Sequence, residues 1–213
     1  MQPLAIVLTT YQRPDGKTPE LLTRTLNCIL NQTYQNFKLF LIGDNYINNE
    51  EFIKLCSLIP DDKITYLNLP VACERGRYPN AGQNLWHSGG VTATNVGIEL
   101  SVNSGYDYVC HIDHDEMWNK NHLEVLAKGI EDTKSLFLYT KGIHFTGQEL
   151  PSVTSNELYL TQRALPTQAI KSAICVNYRV IPLRFKDPLH FYNEYSPADA
   201  NFLGRVNLLL ESN

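Results

Sequence analysis

Asp113 and Asp115 stand one residue apart at the end of the apolar run Tyr108-Val109-Cys110-His111-Ile112, with His114 between them and Glu116 behind. If that run is a strand of an open α/β sheet, both acids sit outside its carboxyl end, where such sheets bind ligands. Residues two apart on a strand project to the same side. Unpartnered buried charge is costly, so two acids placed there call for a cationic partner. A hard divalent ion answers to this, because Mg²⁺ is usually held by one or two carboxylates together with substrate phosphates. The spacing therefore predicts a metal–diphosphate site, against the plainer reading of a solvated turn after a strand. His111, His114 and Glu116 would also admit a metallohydrolase cluster, since imidazole suits Zn and Fe. The remaining histidines at 87, 122, 144 and 190 show no paired spacing. His111 reads as a strand residue, His114 as a loop residue, and His190 as a candidate third metal contact.

Other residues could serve the same site. Asp44 ends a second apolar run at Gly43-Asp44-Asn45 and is also a good turn aspartate. Arg75 and Arg77 fall in a long polar stretch, and guanidinium forks match phosphate oxygens. Asp199, in Ser196-Pro197-Ala198-Asp199, resembles the acid of a capping box. Trp118 could line an acceptor pocket but reads somewhat better as core.

The elements that must carry these residues are legible from periodicity. Leu4–Leu8 is a continuous apolar run, as expected of a strand buried on both faces. A loop over Thr10–Lys17 leads to Thr18-Pro19, which reads as a helix N-cap and first position, with apolar spacing to about Gln32. Phe37–Ile42 is a second strand, Glu50–Ile59 a short helix and Lys63–Leu69 a third strand. This β-α-β-α-β opening predicts a parallel sheet with right-handed crossovers. Val71–Gly90 reads as a long functional loop. A helix over Val91–Val102, capped by Gly105, precedes the strand into Asp113. A helix from about Asn121 to Ile130 and a strand beginning at Leu136 follow. Beyond Thr140 only short strands are indicated, at Leu158–Leu160, Ile174–Val176 and Val180–Ile181, before a closing helix over Pro197–Leu210.

With 213 residues and a net charge of −4, the chain suits one α/β domain and offers no large nucleic-acid footprint. No apolar run approaches the roughly 20 residues that span a bilayer, and Leu4–Leu8 is too short for a secretory leader. Five cysteines lack CxxC spacing, and Cys28, Cys56 and Cys110 fall in periodic apolar segments. They read as reduced core thiols of a cytoplasmic protein.

In order and spacing, several pieces resemble the GT-A-fold glycosyltransferases of family 2: Ile6–Pro14, Asn31-Gln32-Thr33-Tyr34, the strand running into Asp44, Thr94-Asn95-Val96-Gly97-Ile98, and Asp113-His114-Asp115 with Trp118 behind. The likeness covers roughly the first 125 residues. It implies an α/β/α sandwich with a mostly parallel sheet, in a single domain over 1–213. Residues 1–115 would bind the nucleotide sugar and 116–213 the acceptor. It implies an inverting transfer from a UDP-sugar, UDP-glucose or related, to a carbohydrate acceptor, with Mn²⁺ or Mg²⁺. Asp44 would accept from the uracil N3–H, Thr9 and Tyr11 would complete the base pocket, and Asp113 would lean on ribose and metal while Asp115 binds metal. The thinner likeness over Asp199–Val206 implies Asp199 as catalytic base, with Glu194 in reserve, although the family's acidic pair is reduced to Ala198-Asp199. Thr94 stands where the family has an arginine, leaving diphosphate contact to the metal and Arg75 or Arg77. The chain also resembles a glycosyltransferase module of a larger protein from a large algal DNA virus. Two other functions fit the broad fold: a nucleotidyltransferase, although Thr9–Arg13 lacks the glycines that those enzymes carry after the first strand, and a catalytically silent UDP- or glycan-binding module.

Overall fold

The computed structural model describes residues 1–78, 82–144, 146–150, 169–187, 189–190 and 197–211. Strand β1 (Leu4–Thr10) is buried along its whole length, as a strand covered by helices on both faces must be. It pairs in parallel with β2 (Phe37–Gly43) on one side and β4 (Tyr108–Asp113) on the other, and β2 pairs in parallel with β3 (Ile64–Asn68). Two antiparallel additions complete the sheet, β8 (Ile174–Asn177) beside β4 and β5 (Phe137–Tyr139) beside β8. The order is β3-β2-β1-β4-β8-β5. A hairpin of β6 (Gly142–Ile143) and β7 (Glu149–Leu150) stands apart.

Alternate side chains of the strands feed two cores. Leu4, Ile6 and Leu8 of β1 and Leu39 and Leu41 of β2 join α1 (Thr18–Leu30), α2 (Asn49–Cys56) and α6 (His122–Thr133) on one face. Ala5, Val7 and Phe40 meet α5 (Val91–Asn103) and α7 (Ala198–Glu211) on the other. Helix α5 lies tight against the sheet because Gly97 has no side chain; a Cβ there would come 2.6 Å from Val7 Cγ1. The result is the expected mixed α/β sandwich with a mostly parallel central sheet.

Three local expectations are corrected. Thr18 is the first helical residue of α1, with Lys17 at the cap. Its hydroxyl instead accepts from Arg13 N–H (2.8 Å) and donates to the Tyr11 carbonyl (3.0 Å), so it shapes the loop that carries both residues. The stretch 71–90 is more than loop: it contains the short helices α3 (Cys73–Arg77) and α4 (Gly82–Ser88), which the density of Gly and Arg conceals. Val180–Ile181 is a turn, closed by Ile181 N–H on the Asn177 carbonyl (2.8 Å), with Ile181 driven inward by burial rather than by sheet pairing. Trp118 is core, the reading favoured from sequence: its indole N–H donates to the Ser172 carbonyl (2.7 Å) and its ring stacks on His122. The strand expected at Leu158–Leu160 lies outside the described residues.

Candidate active site

The sheet reverses its winding between β1 and β4, and a crevice outside the carboxyl ends of those strands follows from the topology. A cavity of about 400 Å³ lies there, within the size of ordinary ligand sites. Its walls come from the ends of β1, β2 and β4, from Arg75 on α3, and from α4 with the Gly89-Gly90 turn. Thr9, Tyr11, Asp44, Arg75, Asp113 and Asp115, all selected from sequence, line this one cavity.

Register places Asp113 directly beside Thr9, and the Thr9 hydroxyl donates to Asp113 Oδ1 (3.1 Å). Lys171 Nζ donates to the same oxygen at 2.6 Å. Burial works against charge on Asp113, but Lys171 overrides it and holds the carboxyl below its usual range. Asp115 is more open, its side chain 41% exposed and paired with Arg13 at 3.4 Å. Glu116 closes the turn between them, accepting from Asp113 N–H at 3.1 Å; burial and the neighbouring Asp113 push its pKa up to about 7. Two carboxylates on one wall make a hard-oxygen donor set that fits an ion also carried by diphosphate. Lys171 and Arg13 occupy part of that valence, at Asp113 Oδ1 and Asp115 Oδ2. Among the described residues, no group of three or more His, Cys, Asp or Glu side chains converges to hold a metal by itself.

Asp44, only 3% exposed, ends β2 on the opposite wall. Arg75 Nε lies 3.5 Å from its Oδ2, while Oδ1 is buried without a partner. Burial raises the pKa of Asp44 and Arg75 offsets part of the rise. The buried hydroxyl of Thr10 is likewise unpartnered. Arg75 also covers the Tyr11 ring, its guanidinium carbon 4.5 Å from the centroid, and His114 meets Tyr11 edge-on at 5.3 Å. Glu74, buried behind them, accepts from the Thr92 hydroxyl (2.7 Å) and peptide N–H (3.2 Å) and fixes α3 to the start of α5.

Asp199 lies in the first turn of α7, half-buried, with Oδ1 accepting from Ala200 N–H (2.8 Å). Burial raises its pKa, and it is near enough for the charges of Lys171 and Asp113 to act on it. Glu194 lies outside the described residues, as does Ser196 of the expected capping box.

Among the described residues, three expected site residues do not line the cavity: Asp199, Arg77 and His190. Arg77 donates to Asp187 Oδ2 at 2.6 Å, where Tyr78 Oη (2.9 Å) also donates, while Ser88 Oγ donates to Oδ1 (2.9 Å). Asp187 is 1% exposed, and an ionised group so buried recruits every donor within reach. The same carboxylate takes the His190 peptide N–H (3.1 Å), so His190 belongs to this cluster and does not join Asp113 and Asp115.

No protein-family model matches the chain. An uncharacterized glycosyltransferase of Acanthamoeba polyphaga mimivirus is 36% identical over 219 residues, covering 98% of the chain and 86% of the relative. The chain belongs to the glycosyltransferases. S. aureus TarS in complex with UDP superposes on this glycosyltransferase with a TM-score of 0.69 at 15% identity, covering 97% of the chain and 55% of the TarS fragment. The mannosyltransferase PcManGT of Pyrobaculum calidifontis, in complex with GDP-Man and Mn²⁺, does so with a TM-score of 0.56 at 12% identity, over 88% and 48% of the two chains. Both likenesses bear on fold, and the chain spans about half the length of each solved chain.

Lys171, Glu74 and Trp86 of this glycosyltransferase belong to the site and carry no readable sequence signal. Lys171 reaches Asp113 from 58 residues away, because β8 pairs antiparallel with β4 and delivers the preceding turn to the end of that strand. Nothing in the spacing of a single lysine announces such a pairing.

Proposed function

We propose that this glycosyltransferase is an inverting enzyme of family 2 that moves a hexose or deoxyhexose from a UDP-sugar, UDP-glucose or related, to a hydroxyl of a carbohydrate acceptor. The observation that carries the reading is the pairing, across one cavity, of a buried carboxylate oxygen with no partner (Asp44 Oδ1) and two acids at the switch point (Asp113 and Asp115). Asp44 suits an N–H donor such as the uracil N3–H, and the unpartnered Thr10 hydroxyl suits a base carbonyl. Arg75 occupies the Asp44 slot and the Tyr11 face. Base entry therefore releases a guanidinium whose fork matches diphosphate oxygens. TarS has been solved with UDP and with UDP-GlcNAc, which supports a nucleotide-sugar donor.

Asp113 and Asp115 would hold Mn²⁺ or Mg²⁺, which when bound supplies Lewis-acid stabilisation to the departing diphosphate; PcManGT was solved with Mn²⁺. Lys171 keeps Asp113 ionised and oriented. Asp199 accepts the proton of the acceptor hydroxyl as that oxygen attacks the anomeric carbon from the face opposite the diphosphate, inverting its configuration. Its raised pKa makes it a stronger base than an exposed aspartate.

Transfer from UDP-glucose, UDP-GlcNAc and GDP-mannose to a panel of glycan acceptors tests the reading, with the anomeric configuration of product read by NMR. Asp199→Asn should retain UDP binding and lose about 10²–10⁴-fold in transfer rate. Equal activity in that variant removes Asp199 as the base, and a retained configuration removes the inverting mechanism.

A further inference from the structure

Among the described residues, Trp86 combines two properties that no other large apolar side chain shares. It is 65% exposed, and it forms part of the cavity wall. The other strongly exposed apolar side chains, such as Ile47, Met117 and Ile143, lie elsewhere on the surface. A tryptophan covers about 150–250 Å² when buried, so an uncovered indole on the wall of a binding cavity has a large unused capacity for contact.

Its position is fixed from behind. Trp86 stands on α4, whose far end is held by Ser88 Oγ on Asp187 and by Gly89 N–H on the Leu85 carbonyl (2.7 Å). Its ring leans on the buried His87, with centroids 5.1 Å apart and planes 52° apart. Gly90, at φ +76°, then turns the chain past Thr9, and Gly89 and Gly90 line the cavity together with Gly82, Leu85 and Trp86 of α4. The rest of the wall mixes the polar side chains of Thr9, Thr10, Arg13, Asp113 and Asp115 with Leu85 and with Tyr11, whose ring Arg75 covers. An uncovered flat apolar surface in a cavity that also carries hydroxyls and carboxylates suits a ligand with the same division. A pyranose has it, with axial C–H groups on one face and hydroxyls around the edge. The negative face of the indole attracts those C–H groups, as it attracts ring edges.

We propose that Trp86 is a sugar platform that stacks on the apolar face of a pyranose, either the sugar of the donor or the terminal sugar of the acceptor, and so contributes to sugar selectivity. The proposal rests on the transferase reading for its setting, but its ligand can be probed without any nucleotide.

Trp86 and Trp118 are the only two tryptophans of the chain, and Trp118 is buried. Emission changes on adding sugar therefore report Trp86. Wild-type protein, Trp86→Phe and Trp86→Ala are titrated with UDP, with UDP-glucose and UDP-GlcNAc, and with methyl glycosides of glucose, galactose, mannose and N-acetylglucosamine. Fluorescence and calorimetry are read together. A saturable emission change with a pyranose is expected in wild type. Trp86→Ala should weaken that pyranose about tenfold, with Trp86→Phe recovering part of the loss by calorimetry. If the sugar is the donor's, the Trp86→Ala loss for UDP-sugar exceeds the loss for UDP; if it is the acceptor's, the loss falls on the methyl glycosides. Wild-type binding of a pyranose that Trp86→Ala leaves equally strong in both arms overturns the proposal, as does the absence of any emission change in wild type. Failure of UDP to bind wild type, with the methyl glycosides responding as expected, strikes the donor reading and leaves the platform standing.

Discussion

In the proposed reading, Asp44 is the residue on which donor recognition turns. Its free Oδ1 is an acceptor in a place where water is excluded, and an unsatisfied buried acceptor costs about 1–3 kcal/mol. A ligand N–H that meets it gains that amount, so Asp44→Asn, which exchanges an acceptor for a donor at one position, should weaken UDP about 10- to 100-fold by calorimetry. GDP in parallel measures base selectivity. Unchanged UDP affinity in the variant would remove Asp44 from the base pocket. Arg75 makes a separable prediction. If its guanidinium leaves Asp44 when the base arrives, as proposed, Arg75→Ala should weaken UDP while leaving uridine, which has no diphosphate, as tightly bound or tighter. A uniform loss for both would mean that Arg75 supports the pocket wall and does not contact phosphate.

Helix α5 and the buried histidines set the stability of the elements behind the site. Gly97→Ala would gain up to about 1 kcal/mol in helix propensity but forces a Cβ to 2.6 Å from Val7, a core residue with no room to move. Overpacking of that kind costs about 1–3 kcal/mol. The net effect is a fall in urea midpoint, and a rise would contradict the close packing of α5 on β1. Burial holds the pKa of His111 down to about 3 and that of His122 to about 4, against about 6.5 in the unfolded chain. Between those values the unfolded chain binds more protons, so stability increases with pH across the window and drains away as pH falls from 6.5 toward 4. Thermal melts should trace that decline, and His122→Phe should flatten it while keeping the stack on Trp118. The same elements explain what sequence could reveal. β1, β2 and β4 were legible because strands covered on both faces are continuous apolar runs, and Asp44 and Asp113 were placed because each ends one. The helices α3 and α4 were hidden by glycine and arginine between 71 and 90, and β6 and β7 are too short for any period. Lys171 and Asp187 act through partners 58 and about 100 residues away, and only the fold reveals that Arg77, whose charge suits phosphate, pairs with the buried Asp187.

At the scale of the molecule, strand order makes the crevice, the ends of β1, β2 and β4 furnish it with acids, and helices α3 and α4 close one side with Arg75 and Trp86. No described helix is long and apolar enough to cross a membrane. The whole arrangement has one thermodynamic consequence: a nucleotide sugar should occupy the cavity, and an ion shared between the diphosphate and Asp113 and Asp115 should tighten it. Titrating the protein calorimetrically with UDP-glucose and UDP-GlcNAc, first without metal and then at fixed Mn²⁺, measures this directly. Saturable binding of at least one UDP-sugar, strengthened by Mn²⁺ in wild type and not in Asp115→Ala, is the predicted result. No association of either UDP-sugar, with Mn²⁺ present or absent, would contradict it.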